Sequence, residues 1–242
     1  FIAADSGRIL QAERAPSGKR AGVLYTVHNE SAPGFSAHPI FALYDRKGRL
    51  ILKKELRYAD INKTSFIFGP GEESIFYLSP PEGDEAPRAL MAFDFASQKE
   101  KALWNTARTR KEGFAPETLL GVSNGKLVLE GYIYPEQETK ALGLLDLKNE
   151  GFRVVSGEWP VFAGAYTLED NVLVYFGARY GTDPAGQKSG AELFLIALDL
   201  ETGKTEKIQF TGGIPLKDKS LTIHSFSPAK REVLFSFGEV TY

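Results

Sequence analysis

LFLIALDLETGKTEKIQF (Leu193–Phe210) runs as an apolar, β-prone stretch to an aspartate, turns through polar residues and Gly203, and resumes as an alternating strand. An aspartate at such a point caps a hairpin turn with its own side chain. The same signature occurs four more times: FIAADSGRILQAERA from Phe1, FALYDRKGRLILKKEL from Phe41, ALMAFDFASQKEKALWN from Ala89 and ALGLLDLKNEGFRVVS from Ala141. The five aspartates, Asp5, Asp45, Asp94, Asp146 and Asp199, follow one another at intervals of 40 to 53 residues. All five occupy equivalent places in their repeats, which makes them turn-builders rather than a ring of catalytic carboxylates.

A second kind of strand pair lies between successive aspartate hairpins. Its copies are ILQAERAPSGKRAGVLYTVHN, SFIFGPGEESIFYLSP, TLLGVSNGKLVLEGYIY, VFAGAYTLEDNVLVYFGARY and LTIHSFSPAKREVLFSFGE. Val23, Tyr25 and Val27 alternate with Leu24, Thr26 and His28, the period of two that marks a strand. Turns at Pro70-Gly71-Glu72, Ser123-Asn124-Gly125 and Glu169-Asp170-Asn171 carry residues that accept tight hairpin geometry. No helical period is sustained over three turns. A strand-built repeat of this length predicts an all-β array of four-stranded antiparallel blades, a β-propeller. The chain starts on one kind of pair and ends on the other. The expectation is a single domain, residues 1–242, of five blades, with 1–14 and 220–242 sharing the fifth and closing the ring. Closure removes two exposed sheet edges, which otherwise invite aggregation.

Composition sets further bounds. A chain of 242 residues buries about 70–75% of its unfolded surface. The 29 basic and 31 acidic residues leave a net charge of −2, which argues against nucleic acid as a partner. There is no cysteine, so disulfides, thiolate metal sites and cysteine nucleophiles are excluded. The apolar runs are too short to insert in a membrane. The opening Phe1 and the lack of cysteine lead to the expectation of an extracytoplasmic or secreted bacterial protein whose leader or anchor has been removed.

Three segments carry the resemblance to known propellers. SPAKREVLF (Ser227–Phe235) and APSGKRAGVLY (Ala15–Tyr25) are similar to the Ser-Pro-Asp-Gly-Lys turn that precedes a strand in WD-repeat and TolB-type propellers. LIALDLETGKTEKI (Leu195–Ile208) resembles their apolar-Asp-apolar-x-Thr-Gly-Lys hairpin. The likeness covers the whole chain at the level of fold and implies no ligand, because propellers host many functions. In the propellers it resembles, ligands lie on the face built by the connections between the second and third strands of a blade and between blades.

On that face the long connection GARYGTDPAGQKSGAE (Gly177–Glu192) offers Arg179 and Tyr180. Trp159 and Tyr58 supply aromatic faces, and Arg110, in the segment TARTRKEG, a cation. These five, Tyr58, Arg110, Trp159, Arg179 and Tyr180, are the expected ligand- or partner-binding residues, for a protein, a small ligand or an oligosaccharide. Tyr132 and Tyr134 join this aromatic set near the ligand face, and for Tyr132 packing between blades is the simpler reading. His28 and His38, with Glu30 between them, match no compact metal-ligand spacing, and His224 stands apart, so no metal or cofactor is expected. No Gly-x-Ser-x-Gly elbow supports a serine nucleophile. The function expected is a non-catalytic binding or scaffold module. The alternative is a five-bladed carbohydrate-active hydrolase or lyase, which needs carboxylates around the axis; Asp60, Glu117 and Glu158 are the candidates, flanking inner strands whose cores lack an acid.

Overall fold

The computed structural model describes residues 7–27, 39–59, 65–81, 87–135, 140–156, 161–182, 188–209, 221–227, 232–237 and 240–241. Strands β1 (Gly7–Arg14), β2 (Arg20–Val27), β3 (Pro39–Asp45) and β4 (Leu50–Glu55) form the first antiparallel sheet, in that order. The second sheet is β5 (Phe66–Phe68), β6 (Ser74–Leu78), β7 (Leu90–Asp94) and β8 (Glu100–Trp104). A short helix, α1 (Thr106–Glu112), follows it. The third sheet is β9 (Phe114–Ser123), β10 (Lys126–Ile133), β11 (Lys140–Asp146) and β12 (Phe152–Ser156). The fourth is β13 (Val161–Glu169), β14 (Val172–Thr182), β15 (Lys188–Asp199) and β16 (Thr205–Gln209). β17 (Leu221–Ser227), β18 (Glu232–Phe237) and β19 (Val240–Thr241) make a three-stranded fifth sheet.

The all-β expectation holds, with one addition. The segment TARTRKEG is helical because both of its ends are capped. Asn105 Oδ1 accepts from the Arg108 N–H at 3.0 Å, and Gly113, at φ 65°, donates its N–H to the Thr109 carbonyl. The N-terminal strand differs from expectation. Gly7–Arg14 pair with β2 as the first strand of the first sheet, so this segment is not the closing strand of the fifth. Residues 1–6, including Asp5, lie outside the described residues.

The chain divides into two compact units, residues 1–122 and 123–242. In the first, an aromatic layer joins sheets one and two. Phe41, Phe66 and Phe93 are fully buried, and Phe41 meets Phe66 edge-on at 5.2 Å and stacks on Phe95 at 5.7 Å. Such pairs add about 0.5–1.5 kcal/mol each beyond the area they bury. Gly22 on β2 makes room for the layer: a Cβ there would stand 2.9 Å from both the Phe41 and the Phe66 rings. The opposite face of the first sheet is buried too, through Val23, Tyr25 and Ala42. In the second unit Val174, Phe176, Leu195 and Ile223 join sheets four and five, with Phe176 edge-on to Phe235 at 5.3 Å.

First strands of neighbouring sheets approach one another, β1 with β5 and β13 with β17. The β1–β5 approach is stitched by one side chain. Gln11 Nε2 donates to the Phe66 carbonyl at 3.0 Å, and Gln11 Oε1 accepts from the Phe66 N–H at 2.7 Å. The amide thus takes the place of a partner strand's peptide group.

Candidate functional site

Each of the first four sheets has two unlike ends. At one, the four described aspartates build tight turns. Asp45 Oδ1 accepts from the N–H groups of Lys47 and Arg49 at 2.8 and 2.9 Å. Asp94 Oδ1 takes the Ser97 N–H and hydroxyl, Asp146 Oδ1 the N–H groups of Lys148 and Asn149, and Asp199 Oδ1 those of Glu201 and Thr202. These bonds hold three carboxyls below the usual range, led by the Arg49 N–H at Asp45, the Ser97 hydroxyl at Asp94 and the Thr202 N–H at Asp199. In the first unit this turn end is also fastened from sheet to sheet. Ser17 donates its hydroxyl to Glu72 Oε2 at 2.7 Å and its N–H to the same carboxylate, while Arg20 Nη1 reaches the Glu72 carbonyl at 2.8 Å. In the second unit Arg153 Nη2 bridges the carbonyls of Leu200 and Glu201.

The opposite end carries the longer connections, most of whose residues lie outside those described. Its described parts in the first unit are rigid at the base and exposed at the tip. Leu56 is fully buried and donates its N–H to the Pro39 carbonyl at 2.9 Å. Two residues on, Tyr58 is 53% exposed. Its phenol lies close enough to the buried Tyr77 to oppose that residue's ionisation. Burial first, then the hydrogen bond from Tyr77 to Glu100, push the Tyr77 phenol far above its ordinary range. Ser79 secures the next connection by accepting the Ala89 N–H on its Oγ at 3.0 Å.

α1 is anchored by its neighbour Trp104. The buried Trp104 Nε1 donates to Thr109 Oγ1 at 2.9 Å, and Arg108 lies over the indole at 4.7 Å while donating to the Leu103 carbonyl. Thr109 is wholly buried, which turns Arg110 and Lys111 outward. Both cations sit in the last helical turn, where the helix dipole favours positive charge. Lys111 is exposed, and its pair with the half-buried Glu112 at 3.5 Å adds little.

Of the five expected binding residues, Tyr58 and Arg110 are therefore exposed at the loop end of the first unit. Trp159 lies outside the described residues. Arg179 and Tyr180 are on strand rather than loop, a correction to the reading of Gly177–Glu192. The β14–β15 ladder continues through Arg179↔Glu192 and Tyr180↔Ala191 to Thr182↔Lys188, with a bulge beside Tyr180. The small residues and alternation on both sides of the connection extend the hairpin.

Among the carboxylates of the rival reading, Asp60 and Glu158 lie outside the described residues. Glu117 stands within β9, exposed, rather than flanking it. One inner-strand acid escaped the sequence reading. Glu13 on β1 is half-buried and accepts from Gln11 Nε2 at 2.7 Å. Burial raises its carboxyl pKa, and the Gln11 bond partly offsets the rise. Its signal is the alternation Gln11-Ala12-Glu13 on the first strand of the ILQAERAPSGKRAGVLYTVHN pair. His28 and His38 lie outside the described residues. His224 is exposed, with Nε2 2.9 Å from Ser236 Oγ. Among the described residues no group of three His, Asp or Glu side chains is placed to hold a metal, and no helix is long and apolar enough to cross a membrane.

No family model matches the chain, and no curated protein matches it. Solved structures do. The β-propeller domain of the Trilobed protease from Pyrococcus furiosus is similar over 98% of this chain and 70% of its own, at 13% identity and a TM-score of 0.59. An acylaminoacyl peptidase, solved with a Z-Gly-Gly-Phe-chloromethyl ketone, is similar over 99% of this chain and 38% of its own, at 12% identity and a TM-score of 0.59. TolB from Acinetobacter baumannii is similar over 95% of this chain and 51% of its own, at 16% identity and a TM-score of 0.50. A puromycin hydrolase is covered over only 33% of its length. The chain thus spans about a third of the peptidases it resembles. These likenesses show a TolB-type β-propeller fold.

Proposed function

We propose that the five sheets close into a single five-bladed propeller that works as a non-catalytic binding or scaffold module in an extracytoplasmic setting. The observation that carries the binding role is the asymmetry between the two ends of the sheets. The repeated polar residues are consumed in the turns at one end. At the other, Tyr58 and Arg110 stand exposed on buried bases, Leu56 and Thr109. An aromatic face and a cation on firm supports suit a peptide, a sugar or an acidic partner side chain. Trp159, Arg179 and Tyr180 are proposed with them as binding residues on the chemistry of their side chains. The likeness to TolB and to a protease's propeller domain supports the module reading, and TolB the extracytoplasmic one.

A thermal-shift screen of the purified chain against peptides and oligosaccharides tests the binding role. A ligand at 100 times its Kd stabilises by about 2.7 kcal/mol. Replacing Tyr58 and Arg110 with alanine should abolish that gain and leave the unliganded Tm unchanged. A gain that survives both substitutions places the ligand elsewhere and overturns the site. Turnover of a sugar hit that is lost in Glu117→Gln would replace the module with the hydrolase.

A further inference from the structure

A second surface lies away from the loop end, on the outer edge of the first sheet. β4 is the last strand of that sheet among the described residues. It presents two adjacent large apolar side chains to solvent, Leu50 at 54% and Ile51 at 52% exposure. The register slips there, with Leu43 opposite Leu52 and Tyr44 opposite Leu50. Ile51 is therefore the extra residue of a bulge, the device that re-aims side chains on an edge.

The charge around β4 is equally uneven. The eleven residues from Asp45 hold five cations and two carboxylates, whereas the equivalent stretches from Asp94 and Asp146 hold two of each and that from Asp199 two and three. Arg46 and Lys47 are exposed. Arg49 is tied to Asp45 at 2.6 Å, and Lys53 lies over the Tyr25 ring at 5.8 Å, so the excess rests on Arg46, Lys47 and Lys54. In a chain of net charge −2, this one edge is strongly cationic.

We infer that the outer edge of β4 binds an acidic, extended peptide segment of a partner protein as an added strand. A strand edge supplies main-chain hydrogen bonds, and flanking side chains supply selectivity. The cations repel a second copy of the same edge, as lysines on natural edges do, and attract carboxylates. Leu50 and Ile51 offer apolar contact to the incoming strand's alternate residues.

The probe is a fluorescein-labelled (Glu-Val)4 peptide, followed by anisotropy and by amide exchange on the intact chain. The expected result is saturable binding, weakened at least tenfold in Arg46→Glu/Lys47→Glu/Lys54→Glu and in Leu50→Ser/Ile51→Ser, with Tm unchanged in both. Exchange should slow along β4 and not at the loop end, which separates this surface from Tyr58 and Arg110. Equal binding of oligoglutamate that lacks valine, or of the variants, would overturn strand addition. So would binding confined to anionic phosphatidylglycerol vesicles, which would make the edge a membrane contact.

Discussion

At Gly22 the absence of a side chain is itself a packing requirement of the first unit. Gly22 lies against two fully buried rings, and a methyl group at 2.9 Å from both has no flexible neighbour to displace. Gly22→Ala should destabilise by about 1–3 kcal/mol, the usual cost of overpacking, read as a lower denaturant midpoint with an unchanged slope. A neutral outcome would mean that the aromatic layer can slide. Glu13 makes the opposite kind of prediction. Its carboxyl has a folded-state pKa above the unfolded one, so the fold holds its proton more tightly than the unfolded chain does. Its contribution is fully present below the unfolded pKa, near 4.3, and is lost as pH rises through the folded value. Glu13→Gln keeps an acceptor for Gln11 and removes the charge. The variant should match the wild type in acid and exceed it at pH 7, by chemical denaturation across pH. The turn aspartates carry the reverse sign. Stability from Asp45, Asp94 and Asp199 is present above the unfolded pKa and is lost as pH falls through their lowered values.

At the scale of elements, α1 depends on a few polar contacts more than on propensity. Asn105→Ala removes the N-terminal cap and should cost about 0.5–2 kcal/mol. Thr109→Val leaves the buried Trp104 N–H without its acceptor and should cost about 1–3 kcal/mol. Both are measurable by thermal melts, the second also as a shift in tryptophan emission. Such contacts explain why the helix was invisible in advance. TARTRKEG has no apolar stripe, and its only buried side chain is a threonine that answers an indole. The aspartate hairpins were legible because their wiring is local: each carboxylate bonds N–H groups two to four residues ahead. Gly7–Arg14 fit two patterns at once, the second strand of an aspartate hairpin and the first strand of the pair with β2, and the pairing with β2 decides for the latter. Arg179 and Tyr180 were read as loop because glycines nearby looked like punctuation, whereas a bulge let the ladder run on. The Gln11 stitch had no local signal, since its partner Phe66 is 55 residues away.

For the molecule as a whole, the proposed closed ring implies a radius of gyration of about 18 Å, which small-angle scattering would report directly. A value well above it, or two separated melting transitions for residues 1–122 and 123–242, would contradict a single closed ring. The Gln11–Phe66 stitch has a consequence in time. Strands within a sheet are joined by short connections and find each other early, whereas contacts spanning some 50 residues form only after that chain has been ordered. During synthesis the first sheet is finished at Glu55 and its neighbour only at Trp104. At about 5–20 residues per second, the ribosome leaves Phe41 and the edge of β1 uncovered for roughly 2–10 s. Gln11 and the ring layer beneath it therefore act as a late latch. The interval before it closes, set by translation rather than by folding, is when a nascent chain most needs a chaperone.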